Sequence, residues 1–315
     1  MSTQDVTVKR ESLRKRLADN RLLLLIFLPG LLHLLIFKYA PMFGLIIIFQ
    51  DYNPFRGFLN SDWVGFKHFI DIFELRHSFK LMWNTLMLGV YRLVFGFPAP
   101  IILALIINEI RQSAFKRVVQ TISYVPYFIS NVVVVSIAAI ALSPRSGIVN
   151  RILVGVFNIE PIYFLIVPGL FRPLYTLAGI WKTAGWSAII YLAALSAINP
   201  ELYEAAYVDG ARRLRQAWHV TLPGITPTIV VLLRIAIGGV FGAGIELAFL
   251  FQNSFNLNHS EILPTYIYKI GLAGLQGLPK YSFAAALGVF QSLINIILLI
   301  GANALSRKLN ETSLW

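Results

Sequence analysis

Long apolar runs, each wide enough to cross a lipid bilayer and separated by short polar stretches, constrain this chain more than any single motif. About twenty consecutive apolar residues span the hydrocarbon core of a membrane. The runs that reach this length are 22–49, 80–108, 118–142, 173–198, 225–251 and 282–305. Lipid offers no partner to a backbone N–H or C=O, so such runs must close their hydrogen bonds internally as helices. The expected fold is therefore all-α, a polytopic membrane protein with six transmembrane helices. Composition agrees: 57% of residues are hydrophobic and only 13% charged, which is too apolar for a soluble domain of this length.

The first run exceeds the crossing length and carries Pro29-Gly30 and Pro41, which predict interruption, tilt or a kink. A basic flank before an apolar core resembles a signal peptide, but no small-residue cleavage site follows, and we read the run as an uncleaved anchor. Residues 50–79, 143–172 and 252–281 are expected as exterior loops, the first with Trp63 and Phe66 as interfacial anchors.

The formal charge of +12 would suit a nucleic-acid binder, but its distribution argues otherwise. Lys9, Arg10, Arg14, Lys15, Arg16 and Arg21 precede the first run; Arg111, Lys116 and Arg117 follow the second. Arg212, Arg213 and Arg215 follow the fourth, and Arg307 and Lys308 follow the sixth. Basic residues at every second boundary place both termini in the cytoplasm. The charge thus reports topology and contact with anionic membrane lipid, with no nucleic-acid partner implied. The chain has no cysteine, which excludes disulfides and thiolate chemistry. Its five histidines lack metal-ligand spacing, so no metal site is expected.

Between the fourth and fifth runs lies a polar island, 199–224. Asn199 suits an N-cap, Pro200 the first helical position, and Glu201 and Glu204 the positive end of the helix dipole. Gly210 permits a turn that a residue with a Cβ resists. A second short helix is expected from Ala211 to His219, closed by Pro223. Ala205 and Ala206 leave the first helix a face with little side chain, which suits insertion into a groove on another protein.

These residues resemble the permease subunits of binding-protein-dependent ABC importers, whose signature runs EAA, three residues, Gly, nine residues, Ile, one residue, Leu-Pro. Glu204, Ala205, Ala206, Gly210, Leu222 and Pro223 fall in register, with Val220 where the pattern has Ile. The resemblance implies that the loop, Asp209 included, is a cytoplasmic coupling helix docking in a cleft of an ATPase subunit. The runs 37–44, 49–54, 97–100, 108–110 and 191–195 and the closing Leu-Trp look like the maltose-type carbohydrate permeases. Within that group they are similar to the polysaccharide branch, which includes alginate importers.

Resemblance further implies a second homologous permease as heterodimer partner, two ATP-binding subunits and an extracytoplasmic solute-binding protein, in the bacterial inner membrane. No G-x-x-x-x-G-K-[ST] loop is present, so ATP and Mg2+ belong to the partner subunits and this chain binds no cofactor. The implied layout is a basic segment 1–21, a permease domain 22–309 and a tail 310–315. Transport would proceed by alternating access, moving oligosaccharide from binding protein to cytoplasm.

Polar residues inside the runs are candidates for the substrate pathway, because ionised groups in lipid are costly and face a cavity or partner. Tyr175, Lys182 and Trp186 share a sector of the fourth run; Arg234, Phe241, Glu246 and Asn253 lie along the fifth. Arg92 in the second run and Gln291 and Asn295 in the sixth complete the set. Helix packing or intramembrane pairing, for instance Arg92 with Glu246, is the competing role for each. The cations Arg92, Lys182 and Arg234 suit an anionic substrate, and taken with the resemblance they imply an acidic, alginate-like oligosaccharide. A polytopic glycosyl or acyl transferase is the rival class, but Asp51, Asp62, Asp71 and Glu74 read as solvated loop charges, so no catalytic residue is expected. A permease of the same family for another solute would carry the same apolar runs. So would a stand-alone channel, which has no need of the 199–224 loop.

Overall fold

The computed structural model describes residues 20–242, 244–274 and 278–308, without the side chains of 306–308. Residues 1–19 of the expected basic segment, the 310–315 tail, and the side chains of Arg307 and Lys308 lie outside the described residues. The described chain is mostly helical, with one two-stranded hairpin, and forms two compact units, 1–66 and 67–315.

In the first unit, α1 is a helical stretch, Arg21–Phe49. Pro29 sits inside it without ending it. A π turn at Leu35–Tyr39 then passes into a tighter 3-10 run, Ala40–Phe49. A small antiparallel hairpin follows, β1 (Gln50–Asp51) with β2 (Asp62–Trp63), in the stretch expected as plain loop. Phe49 stacks on Trp63 with ring centres 5.9 Å apart and meets the Phe66 edge at 5.3 Å.

The second unit contains α2 (Lys67–Glu74), α3 (Arg76–Asn108), α4 (Ser113–Phe128) and α5 (Asn131–Ala141). It continues with α6 (Ile148–Phe157), α7 (Phe171–Ser196), α8 (Pro200–Val208) and α9 (Arg213–Gly238). It ends with α10 (Ile245–Phe251), α11 (Leu263–Gly271) and α12 (Tyr281–Lys308). Four helices, α1, α3, α9 and α12, are each long and apolar enough to cross a membrane. The α4–α5 pair makes a fifth if it counts as one span. Helix α7 is long enough at 26 residues but carries Trp181, Lys182 and Trp186 in its middle.

Two runs expected as straight spans are broken. The third bends by 103° between α4 and α5. Pro126 sits in the closing turn of α4, and the Ser130 hydroxyl caps α5 by accepting the Val133 N–H. The fifth ends at Gly238, turns, and restarts at Ile245. Conversely, Pro223 does not close a helix as expected: α9 runs straight through it. The reason is local. A proline ring collides with the carbonyl four residues back. Here a π turn, Ala217–Thr221, precedes it, and the Leu222 N–H bonds the Ala217 carbonyl five residues back. The same pairing recurs at Arg92–Gly96 before Pro98, and at Leu35–Tyr39 before Pro41.

The centre of this unit is α7. Its first half packs with α3, α5 and α10 through Leu88, Val134, Phe171, Tyr175, Leu247 and Ala248. Its second half packs with α3 and α9 through Ile101, Ala104, Ala188, Leu195 and Ile225. Lipid tails are as apolar as leucine, so close van der Waals fit rather than burial from water drives such contacts. The fit is tight at Gly185, where a Cβ would collide with the Ser123 carbonyl.

Candidate functional site

The break in the fifth run is where backbone groups lose their helical partners, and three neighbouring helices supply replacements. On α12, Gln291 and Asn295 stand one turn apart. The Gln291 amide donates to the Phe241 carbonyl at 2.8 Å, and the Asn295 carbonyl oxygen accepts the Phe241 N–H at 3.2 Å. From α3, the Arg92 guanidinium donates to the Gly242 carbonyl at 3.3 Å. From α7, the Tyr175 hydroxyl makes a long 3.5 Å contact to the Gly244 carbonyl. Gly89 on α3 allows the turn to approach closely, since a Cβ there would collide with the Val240 carbonyl oxygen. Irregular backbone at membrane depth is tolerated where it is buried in protein or lines a cavity; this one does both.

A cavity of about 890 Å3 opens beside the break, walled by α3, α7, α9 and α10 and by Asn131 at the start of α5. Its volume lies in the range of about 300–1,000 Å3 usual for small-molecule sites. Of the pathway candidates, Arg92, Tyr175, Lys182 and Glu246 line it. Arg92 and Glu246 do not pair. Instead the Asn131 amide links Glu246 to Lys182: its Nδ2 donates to Glu246 Oε2 at 2.6 Å, and its Oδ1 accepts from Lys182 Nζ at 2.5 Å. Sequence reasoning does not reach Asn131; the available signal is a polar residue that follows Ser130 and opens a run of four valines.

The remaining candidates lie elsewhere. Trp186 has one face covered by Tyr127, stacked at 4.7 Å, with Phe128 against it edge-on. Arg234 is buried within the bundle, 2% exposed. Phe241 is buried and presents its backbone, not its ring, to Gln291 and Asn295. Asn253 organises a turn: its Oδ1 accepts the Phe255 and Asn256 N–H groups, while its amide donates to the Leu165 carbonyl.

Beyond the cavity a polar network joins α3, α7 and the 252–271 segment. Asn84, 2% exposed, donates to the Asn258 and Glu261 carbonyls at 3.0 Å and accepts from Arg172 at 3.0 Å. Glu261 holds Lys269 at 2.9 Å and lies 3.3 Å from His77. Burial, reinforced by the Glu261 carboxylate, pushes the neighbouring Tyr266 phenol above its usual value.

The 199–224 loop is built from short-range bonds. Asn199 Oδ1 accepts the Glu201 N–H at 3.1 Å, which caps α8. At the other end Gly210 adopts φ +75°, and the Ala211 and Gly210 N–H groups bond the Ala206 and Tyr207 carbonyls. This pattern is the Schellman termination, which needs a left-handed residue at that position. Tyr203 then ties α8 to α9 through its hydroxyl, which donates to Thr221 at 3.2 Å. Leu222 packs against the core around Ile225, whereas Glu204, Ala205, Asp209 and Pro223 are exposed. So are Tyr207 and Val208, at 76% and 84%. Among the described residues no group of three or more His, Asp or Glu converges as a metal site.

A polytopic helical bundle with a cavity at a broken helix and an exposed, self-capped helix between α7 and α9 suits a membrane transport component. The chain belongs to the family described as binding-protein-dependent transport system inner membrane components, which matches residues 96–311. It is 47% identical to the polygalacturonan/rhamnogalacturonan transport system permease protein YteP of Bacillus subtilis (strain 168), over 98% of this chain and 94% of that protein. It is 44% identical to protein LplB of the same organism, over 95% of this chain and 92% of that protein. Its fold is similar to a solved chain of a bacterial ABC transporter involved in the import of the acidic polysaccharide alginate, with TM-score 0.85 and 40% identity over 95% of this chain and 99% of that one. A second structure, of the bacterial alginate ABC transporter in complex with an alginate pentasaccharide-bound periplasmic protein, gives TM-score 0.87 and 39% identity over 96% and 100%. The chain is therefore a permease component of an ABC importer and not an enzyme.

Proposed function

We propose that this chain is one of two permease subunits of an importer for acidic oligosaccharides, driven through its 199–224 loop by ATP-binding partners. The bundle would cross the membrane six times, by α1, α3, the bent α4–α5 pair, α7, the broken α9–α10 pair and α12, with both ends in the cytoplasm. A second homologous permease would complete the pathway. Two cytoplasmic subunits would bind ATP and Mg2+, and an extracytoplasmic binding protein would deliver the sugar.

The observation that carries this proposal is α8: a short, exposed helix fixed at both ends by its own residues and continuous with α7 and α9. Force applied to Ala205 and Ala206 would pass to the central helix and to the one that breaks beside the cavity. Such a rigid lever suits alternating access. Two cavity cations, Arg92 and Lys182, against one carboxylate, Glu246, favour an anionic cargo. The names of the relatives point the same way, since polygalacturonan and alginate are both uronate polymers.

Reconstitution tests this. In proteoliposomes holding the full complex and a saturated binding protein, uptake should require ATP, and a uronate trisaccharide should enter faster than the neutral hexose trisaccharide of the same linkage. Equal uptake of the two would contradict the acidic substrate, and uptake without nucleotide would contradict the coupling.

A further inference from the structure

The cavity contains a lysine that is neutralised at one remove. Lys182 projects from the middle of α7, and no carboxylate lies within 4.0 Å of it among the described ion pairs. Its ammonium instead donates to the Asn131 carbonyl oxygen at 2.5 Å, and the same amide donates from Nδ2 to Glu246 at 2.6 Å. All three line the cavity, with Glu246 exposed and Asn131 and Lys182 half-buried. They come from α5, α7 and α10, the last opening immediately after the break.

We propose that Glu246 is an internal counterion that stands in for the substrate's carboxylate: it satisfies Lys182 through Asn131 while the cavity is empty, and a uronate carboxylate takes its place when cargo enters. This rests on the acidic-oligosaccharide reading above and deepens it. Hydrogen bonds between charged partners are stronger than neutral ones, so an unoccupied lysine at this depth would be costly and an unopposed one would hold an anion too tightly to release it. A carboxylate on a separate helix answers both demands. With cargo present the ammonium passes from the amide oxygen to the uronate. When the sugar leaves, Glu246 and Asn131 recover it. Conduction by any pathway needs binding strong enough to enter and weak enough to leave.

The exchange makes α10 sensitive to cargo. Glu246 sits in the first turn of that helix, directly after the break. Arg92 lines the same cavity but bonds neither Asn131 nor Glu246; one of its nitrogens donates to the Gly242 carbonyl.

Steady-state uptake by the reconstituted complex, comparing a uronate trisaccharide with its neutral hexose counterpart, tests the exchange. Glu246→Gln should lower the half-saturating concentration for the uronate about tenfold and slow its maximal uptake, as expected for a charge-assisted bond no longer opposed. The neutral sugar should change less than about twofold on the same reasoning. Lys182→Met should weaken the preference for the uronate, with Arg92 the cation that remains in the cavity wall. Asn131→Asp, which sets a second carboxylate on the ammonium, should raise the half-saturating concentration for the uronate alone.

Equal changes for both sugars in Glu246→Gln would mean a merely structural role and overturn the exchange. So would an undiminished uronate preference in Lys182→Met. A parent complex with no preference at all would overturn both the acidic-substrate reading and this inference, whereas a parent preference with an indifferent Glu246→Gln removes only the inference.

Discussion

The 199–224 loop and the break that opens at 239–242 are both departures from regular helix, yet they are held by opposite means. The loop is secured by its own neighbours: Asn199 with Glu201, Gly210 and Ala211 with the last turn of α8, Tyr203 with Thr221. Its outer face is bare. The break is secured from a distance, by Gln291 and Asn295 on α12, Arg92 on α3 and Tyr175 on α7. Local bonding lets the loop keep its shape independently of the helices around the cavity. Non-local bonding ties the shape of the break to the position of three other helices, so any movement among them must be felt at the cavity wall.

Substitutions can break or sharpen this contrast. The largest effect is expected at Gly89, where any side chain meets the Val240 backbone. Overpacking costs about 1–3 kcal/mol and occasionally more. Gly89→Leu should therefore fail to yield a detergent-stable bundle in a thermal scan, and normal stability would mean that α3 does not support the break. Next comes Gln291→Leu with Asn295→Leu, which strands the Phe241 N–H and C=O at about 1–3 kcal/mol for each unsatisfied group. We expect a lower unfolding temperature and faster hydrogen exchange at 239–244, with the loop unaffected.

Gly210→Val should be gentler on the bundle, because a Cβ there meets nothing within 4 Å. Its cost is the left-handed backbone, about 1–2 kcal/mol. The complex should still assemble while ATP-coupled uptake falls about five- to thirtyfold, the rate equivalent of that strain. Gly210→Asn, which tolerates positive φ, should keep most of it. The smallest effect belongs to Arg213→Ala, which removes a 3.6 Å ion pair to Glu109 between half-exposed side chains. Such pairs contribute about 0–1 kcal/mol, and uptake should change less than about twofold.

The same contrast explains what is legible in the sequence. Asn199, Pro200 and Gly210 act within their own turn, so residue type and spacing suffice to place α8 and its end. A helix running through Pro223 is not legible, because the π turn that makes room for the ring is marked by no residue type. The break is hidden although Gly238, Gly239, Gly242 and Gly244 crowd it. Packing glycines and hinge glycines look alike until the neighbours are known. Gln291 and Asn295 stand out by polarity alone, since the periodicity that places them on one face does not say that a broken backbone faces them. Asn131 is the same lesson in reverse: its function lies entirely in two side chains 51 and 115 positions away.

The chain has no cysteine, so a single Ala205→Cys in α8 can be followed without background. In inside-out membrane vesicles containing the assembled importer, a short bifunctional reagent should join this cysteine to an ATP-binding subunit, and the yield should change when nucleotide is added. Failure to capture any such subunit, or labelling of the cysteine by an impermeant maleimide from outside intact cells, would contradict the assignment of 199–224 as the coupling element.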